Sequence, residues 1–299
     1  MSNRNTQTVR SIEWLTFFLA DVQTGLGPFL AAYLAASGWN PGRVGYALTF
    51  GGLVSVPTQT PAGAVIDATR RKRALMAVSL AVLVAGALLL MGRLSSIEVY
   101  SAQFLIGGSG AFLAPTVAAI SLGIVGSAAF DQLFRKIQAF NSAGNVFTAL
   151  LVAYISYRFG YRMIFGAVAL LAIPATISLS TIDPKRIDYS RARGAVDGKC
   201  SAGNERFSLL LKDRVLLAFL GTAFLFHLSN AAMLPQLGEL LSKGSPRAAA
   251  PFMSACVIVT QLVISLSAAW IGNGPPRADE SRSYCLVSAY CLSEAFCTH

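Results

Sequence analysis

Apolar residues run along this chain in long blocks separated by short polar turns: 13–36, 44–66, 74–92, 97–126, 140–159, 161–181, 214–238 and 249–272. A helix needs about 20 mostly apolar residues to cross the hydrocarbon of a bilayer, and each block is near that length. Inside hydrocarbon every backbone N–H and C=O must find a partner within the protein, which favours helices over open strands. The pattern therefore predicts an all-α, polytopic transmembrane bundle of about eight helices. It divides into a polar tail (1–12), a six-helix unit (13–181), a long polar connection (182–213), two further helices (214–272) and a Ser- and Cys-rich tail (273–299).

Composition sharpens this reading. The 299 residues are 54% hydrophobic and 13% charged, with mean hydropathy +0.57, against about 25% charged residues in a typical soluble domain. A net charge of +10 would suit nucleic acid, but the placement of the charges argues otherwise. Of the 24 Lys and Arg residues, 18 fall in alternate connections beginning with the N-terminal tail, among them Arg70–Arg73, Arg135, Lys136 and the basic 182–213 interval with Arg214 at its edge. The other connections carry Arg43, Arg93, Arg158, Arg162, Lys243 and Arg247. Such asymmetry is a membrane topology signal. It predicts a multi-pass protein of the bacterial inner membrane with both termini cytoplasmic, the lipid bilayer as its partner and no nucleic acid.

The first apolar run is longer than the 7–15-residue core of a cleaved signal, so a retained span is expected. Cys200, Cys256, Cys285, Cys291 and Cys297 show no C-x-x-C spacing and no disulfide framework, and Cys297 with His299 is the nearest approach to a ligand pair. Neither a G-x-x-x-x-G-K-[ST] run nor a spaced acid/base or metal set is found, so no cofactor, metal or catalytic residue is expected, and the chain does not read as an enzyme.

The most distinctive polar stretch is Gly63-Ala64-Val65-Ile66-Asp67-Ala68-Thr69-Arg70-Arg71-Lys72-Arg73. It resembles the G-x-x-x-D-R-x-G-R-R loop between helices 2 and 3 of the major facilitator superfamily: Gly63, Asp67, Arg71 and Lys72 fall on the pattern, while Ala68 and Arg70 depart from it. Gly107 matches the glycine of the family's R-x-x-x-G segment, with Gln103 standing where the arginine would be. Gly160-Tyr161-Arg162-Met163-Ile164-Phe165 is similar to the family's G-W-R-W-I-F element. Phe140–Val146 lacks the G-P-x-x-G-G segment of many antiporters, which argues against a drug/proton antiporter.

The resemblance spans 1–272 and is best over 13–181. It implies about eight of the usual twelve helices, two halves each built from inverted three-helix repeats, and transport of a small solute by alternating access, with or without a coupling proton. No sequence similarity is visible between 13–92 and 97–181, so the repeat rests on the resemblance alone. The resemblance also implies a gating role for the Gly63–Arg73 loop, with Asp67 and Arg71 contacting helix ends partly in the opposite half. As residues, Asp67 can pair with Arg71 four positions on, and the basic cluster can simply fix topology.

Candidate pathway residues are polar groups inside apolar runs. Asp21 and Thr24 share a helical face with Gly25 and Pro28. An acid in the membrane costs several kcal/mol unless it meets a cavity or a partner, so Asp21 reads either as a proton- or substrate-coordinating group or as a structural pair near the cytoplasmic edge. Asn145 lies four residues after Asn141, where the two line a path or satisfy helix ends. His227 and Asn230 are i, i+3 neighbours that can hydrogen-bond a solute or pack structurally. Gln103, Asp21, Thr24, Asn145, His227 and Asn230 make the pathway set; Gly63, Asp67, Arg71 and Lys72 make the gating set. The apolar pattern stops at Gly272, which suggests a reading-frame shift or truncated gene there. The competing reading is therefore a non-transporting membrane fragment.

Overall fold

The computed structural model describes residues 3–24, 27–193, 214–230, 233–244 and 246–272, and every element of them is helical. The first run holds α1 (Asn3–Thr24) and α2 (Gly27–Ala36). Then come α3 (Pro41–Ala68), α4 (Lys72–Leu89), α5 (Ser96–Val125), α6 (Ser127–Phe159) and α7 (Arg162–Ser180). Two 3-10 turns, Pro184–Arg186 and Arg191–Arg193, come next. The second unit comprises α8 (Arg214–Asn230), α9 (Met233–Gly244) and α10 (Pro246–Gly272). Helices α4 to α7 are each long and apolar enough to cross a membrane.

Local chemistry sets several boundaries. Asn40 caps α3 by accepting from the Gly42 N–H at 2.8 Å, with Pro41 in the first helical position. Ser95 and Glu98 open α5 with a reciprocal capping box, at 2.9 and 3.3 Å. Gly126, at φ +72°, turns α5 into α6 within one residue, a left-handed conformation that suits glycine. The hydropathy pattern starts the fifth span at 140, whereas α6 begins at Ser127. Its first turns carry exposed Asp131, Arg135 and Lys136, so the helix continues past the apolar block as a polar extension that hydropathy alone does not register.

Packing in the first unit obeys a repeated rule. Helix α3 packs along α5, and α6 packs along α1; α4 packs on α5, and α7 on α1; α4 and α7 then pack on each other. Exchanging the first three spans for the next three leaves that set of contacts unchanged, as two equivalent three-helix repeats require. The matching crossings are both closed by glycine. A Cβ on Gly107 of α5 would overlap the Gly51 carbonyl of α3, and one on Gly144 of α6 would overlap the Phe17 carbonyl of α1. Small residues let helix backbones approach where lipid supplies no hydrophobic drive.

The connections gather at two ends. At one, Thr181 Oγ1 meets Ser11 Oγ at 2.9 Å, Arg186 Nη1 donates to Thr8 Oγ1 at 3.3 Å, and Arg73 Nη2 donates to the Ser180 carbonyl at 2.8 Å. The Asp188 N–H donates to the Gly123 carbonyl at 2.9 Å, fastening the post-α7 segment to α5. This end holds Arg70–Arg73 and Arg186, and is the basic end. At the opposite end the Tyr33 hydroxyl of α2 donates to the Leu90 carbonyl at 3.0 Å, and its ring lies 5.0 Å from Phe165 of α7.

Candidate functional site

The Gly63–Arg73 stretch is not one helix. Helix α3 ends at Ala68 and α4 starts at Lys72, with Thr69, Arg70 and Arg71 between them. The i, i+4 geometry that would join Asp67 to Arg71 is lost, and the two form no ion pair; both are exposed. Lys72, which the motif places in the gating set, lies inside the fold. It is 1% exposed, and its Nζ donates to the Ile66 carbonyl near the end of α3. A cation on the unsatisfied carbonyls of a helix C-terminus stabilises that end, so Lys72 ties the last turn of α3 to the first turn of α4. Around Gly63 there is open space where a Cβ would point, so close packing within the described residues does not account for this glycine.

Gln103 is 7% exposed and spends its amide on the fold: Nε2 donates to the Ala47 carbonyl of α3 at 3.0 Å. Its side chain lies over Gly51, whose added Cβ would come within 3.0 Å of that nitrogen. Gln103 thus forms a polar clasp one turn before the Gly107–Gly51 crossing. Asn145 Nδ2 donates to Asn141 Oδ1 at 3.2 Å. The pair is partly buried well inside α6, away from its ends.

Asp21 and Thr24 lie in the last turn of α1, and His227 and Asn230 in the last turn of α8. Their side chains lie outside the described residues. The next helix after each set, α2 and α9 respectively, is packed into the bundle. Helix α9 packs on α2 and on α10, and α10 packs along α6. Gly238 of α9 is at the centre: a Cβ there would overlap Met253 of α10 and come within 3.4 Å of Ala32 on α2. The Tyr161 side chain interacts with Ser242 and with the Ala250 backbone, adding a polar tie at the same end. The two units therefore meet firmly at the end opposite the basic one. Helix α8 has no such packing: among its described residues all are exposed, including Leu217, Leu220, Phe224, Leu225 and Leu228.

Beside this junction lies a pocket of about 730 Å³, lined by residues of α2, α3 and α9 that include Thr49, Gln236 and Glu239. Glu239 is the acid of that lining, and sequence reasoning missed it because it sits just past the apolar run ending at 238. Glu13 was missed too; it is an acid turned inward on α1, 9% exposed. Its signal was an acid leading directly into the apolar block of the first span. Among the described residues no cluster of His, Cys, Asp and Glu could hold a metal ion.

The family model "Major Facilitator Superfamily" matches residues 14–279. Two uncharacterized MFS-type transporters, from two strains of Mycobacterium tuberculosis, are 35% identical over 277 residues, covering 91% of this chain and 65% of each relative. The chain thus spans about two thirds of the length of those relatives. Among solved structures, the nucleoside transporter NupG superposes with TM-score 0.65 at 15% identity, over 97% of this chain and 80% of that one. A D-xylose-proton symporter superposes with TM-score 0.57 at 13% identity, over 98% and 81%. These agree with the all-helical fold. The chain belongs to the major facilitator superfamily.

Proposed function

We propose that this chain serves the movement of a small solute across the bacterial inner membrane by alternating access, with both termini in the cytoplasm and the basic end facing it. Rocking of two helix units requires that they touch firmly at one end and part at the other. The α2–α9–α10 junction supports the firm end of such a motion.

The observation that carries the pathway residues is a match of register across the junction. Ala32 and Gly238 are near neighbours. Asp21 lies eleven positions before Ala32 (32 − 21), and His227 eleven before Gly238 (238 − 227). Thr24 and Asn230 each lie eight before the same two residues (32 − 24; 238 − 230). Equal offsets from two neighbouring residues support comparable placement of the two polar sets, one from each unit. A solute between them would meet an acid and a hydroxyl on one side and an imidazole and an amide on the other. Asn145 on α6 belongs to the same wall in this reading, with Gln103 acting behind it as a positioning residue. Asp67 and Arg71, exposed and unpaired with each other, are then available to the opposite unit as a gate, with Gly63 leaving room for that approach.

Uptake into proteoliposomes tests this, using uridine and D-xylose as labelled probes at two external pH values. Chain-dependent flux of either probe, reduced more than tenfold by Asp21→Ala and by His227→Ala, is expected. A correctly inserted chain that passes neither probe favours the reading as a non-transporting membrane fragment. A pH-dependent flux assigns the coupling proton.

A further inference from the structure

A second pocket, of about 400 Å³, lies at the basic end between the start of α4, the end of α7 and the segment after it. Its polar wall is Arg70, Arg71, Lys72 and Arg73, and no Asp or Glu lines it. The nearby acids Asp183 and Asp188 are held by their own arginines, at 3.7 Å from Arg186 and 3.2 Å from Arg191. Arg70, Arg71 and Arg73 form no salt bridge among the described residues. Arg73 is fixed in place by its bond to the Ser180 carbonyl, while its Nε is enclosed without a hydrogen-bond partner. At the first turn of α4, Arg71 stands in the cap position and makes no side-chain cap. Uncapped N–H groups and the helix dipole favour an anion there. Three arginines without an acidic partner, one of them anchored on the Ser180 carbonyl, and an uncapped helix start thus border one cavity with no counter-charge.

The rest of the lining is mostly apolar, with Ala74, Ala77, Leu179, Pro184 and Ile187 beside the hydroxyl-bearing Thr176, Ser180 and Tyr189. Beyond the pocket, toward the middle of the bundle, α4 and α7 present Val78 (61% exposed) and Ile177 (58% exposed). A fully hydrated ion gains nothing from such apolar groups. A phosphodiester carried on a glycerol with acyl chains gains at both ends. We propose that this pocket binds the headgroup of an anionic phospholipid, with its phosphate on Arg70, Arg73 and the start of α4 and its chains along Val78 and Ile177. Basic pockets between spanning helices on the cytoplasmic side bind acidic headgroups in this way. The site is independent of whether the chain carries a solute.

The test uses the full chain in phosphatidylcholine nanodiscs with phosphatidylglycerol titrated in, reading retained lipid per chain by native mass spectrometry. The expected result is selective retention of one phosphatidylglycerol. Each pocket arginine contributes about fivefold to affinity, so Arg70→Gln lowers retention about fivefold and Arg70→Gln with Arg73→Gln about 25-fold. Arg70 is exposed between helices, so its single variant keeps the fold and carries the test should the double variant fail to insert. Arg135→Gln with Lys136→Gln removes two exposed charges from the same end, outside the pocket, and should change retention less than twofold. Equal retention of the two lipids, or an equal loss in the Arg135/Lys136 control, overturns the proposal. So does release of the lipid by 10 mM inorganic phosphate, which would make this a site for soluble anions.

Discussion

The α3–α5 and α1–α6 crossings occupy equivalent places in the two three-helix repeats, yet different side chains close them. Both rely on a glycine whose absent Cβ admits a carbonyl of the facing helix, Gly107 against Gly51 and Gly144 against Phe17. Around that shared device the surroundings diverge. The α3–α5 crossing adds the amide of Gln103 on the Ala47 carbonyl. The α1–α6 crossing adds rings: Trp14 lies 5.6 Å from Phe17 and 5.8 Å from Phe140, and Phe17 lies 5.7 Å from Phe147. Backbone proximity is thus the repeated element, and polar or aromatic reinforcement is interchangeable. That explains how the packing can be duplicated while the sequences of the two repeats share no visible similarity.

The comparison predicts an order of effects. Gly144→Ala and Gly107→Ala carry the largest, each destabilising the bundle by about 1–3 kcal/mol through overpacking against backbone that cannot swing aside. Detergent unfolding of the single and double variants measures this. The losses should be similar and roughly additive, and a large loss at only one glycine would break the equivalence. Next is Gln103→Leu, which removes the clasp but leaves the close approach. Hydrogen bonds between membrane helices contribute about 0.6 kcal/mol on average and at most about 1.7, so this variant should cost less than either glycine change. If it costs more, the amide and not the glycine holds α3 to α5.

The smallest effect belongs to the segment that leaves the first unit. The Asp188 carboxylate accepts from the Ser190 hydroxyl and from the N–H groups of Ser190 and Arg191. These bonds, the Ser190 hydroxyl foremost, lower its pKa below the usual aspartate value of 3.8. A lowered folded-state pKa stabilises the fold above the unfolded value and loses that contribution as pH falls through the folded one. Docking of this segment should therefore be indifferent to pH above about 5 and weaken only below about 4. Hydrogen exchange at the Asp188 amide, which donates to Gly123, reports it, and Asp188→Asn should abolish the pH dependence. Loosening near neutral pH would place the control in another group.

The all-helical membrane-type fold and the family were legible because hydropathy and the Gly63–Arg73 motif are written in consecutive residues. The helical repeat was not, since it resides in which backbones approach, and Gly51, Gly107 and Gly144 are three among 26 glycines. Lys72 shows the limit of motif reading: its position in the pattern was recognised, but its burial arises from the break between α3 and α4, which directs its ammonium onto Ile66. Gln103 was read from what it replaces, whereas its partner, the Ala47 carbonyl, is a main-chain group that any sequence would supply. Glu239 escaped because a single acid just beyond an apolar run looks like the end of a span. Only the placement of α9 beside α2 and α3 turns it into the lining of a pocket.

The fastening of residues 182–193 has a consequence for biogenesis. Gly123 receives Ile187, Asp188 and Ala192 so closely that a Cβ would come within about 3 Å of all three, and Arg186 reaches back to Thr8. Every one of these ties is to residues already synthesised. The leading seven helices can therefore close, tether and seal as a finished body while the ribosome is still making what comes next. The later helices then dock onto an assembled template through α2 and α6 and need not nucleate it.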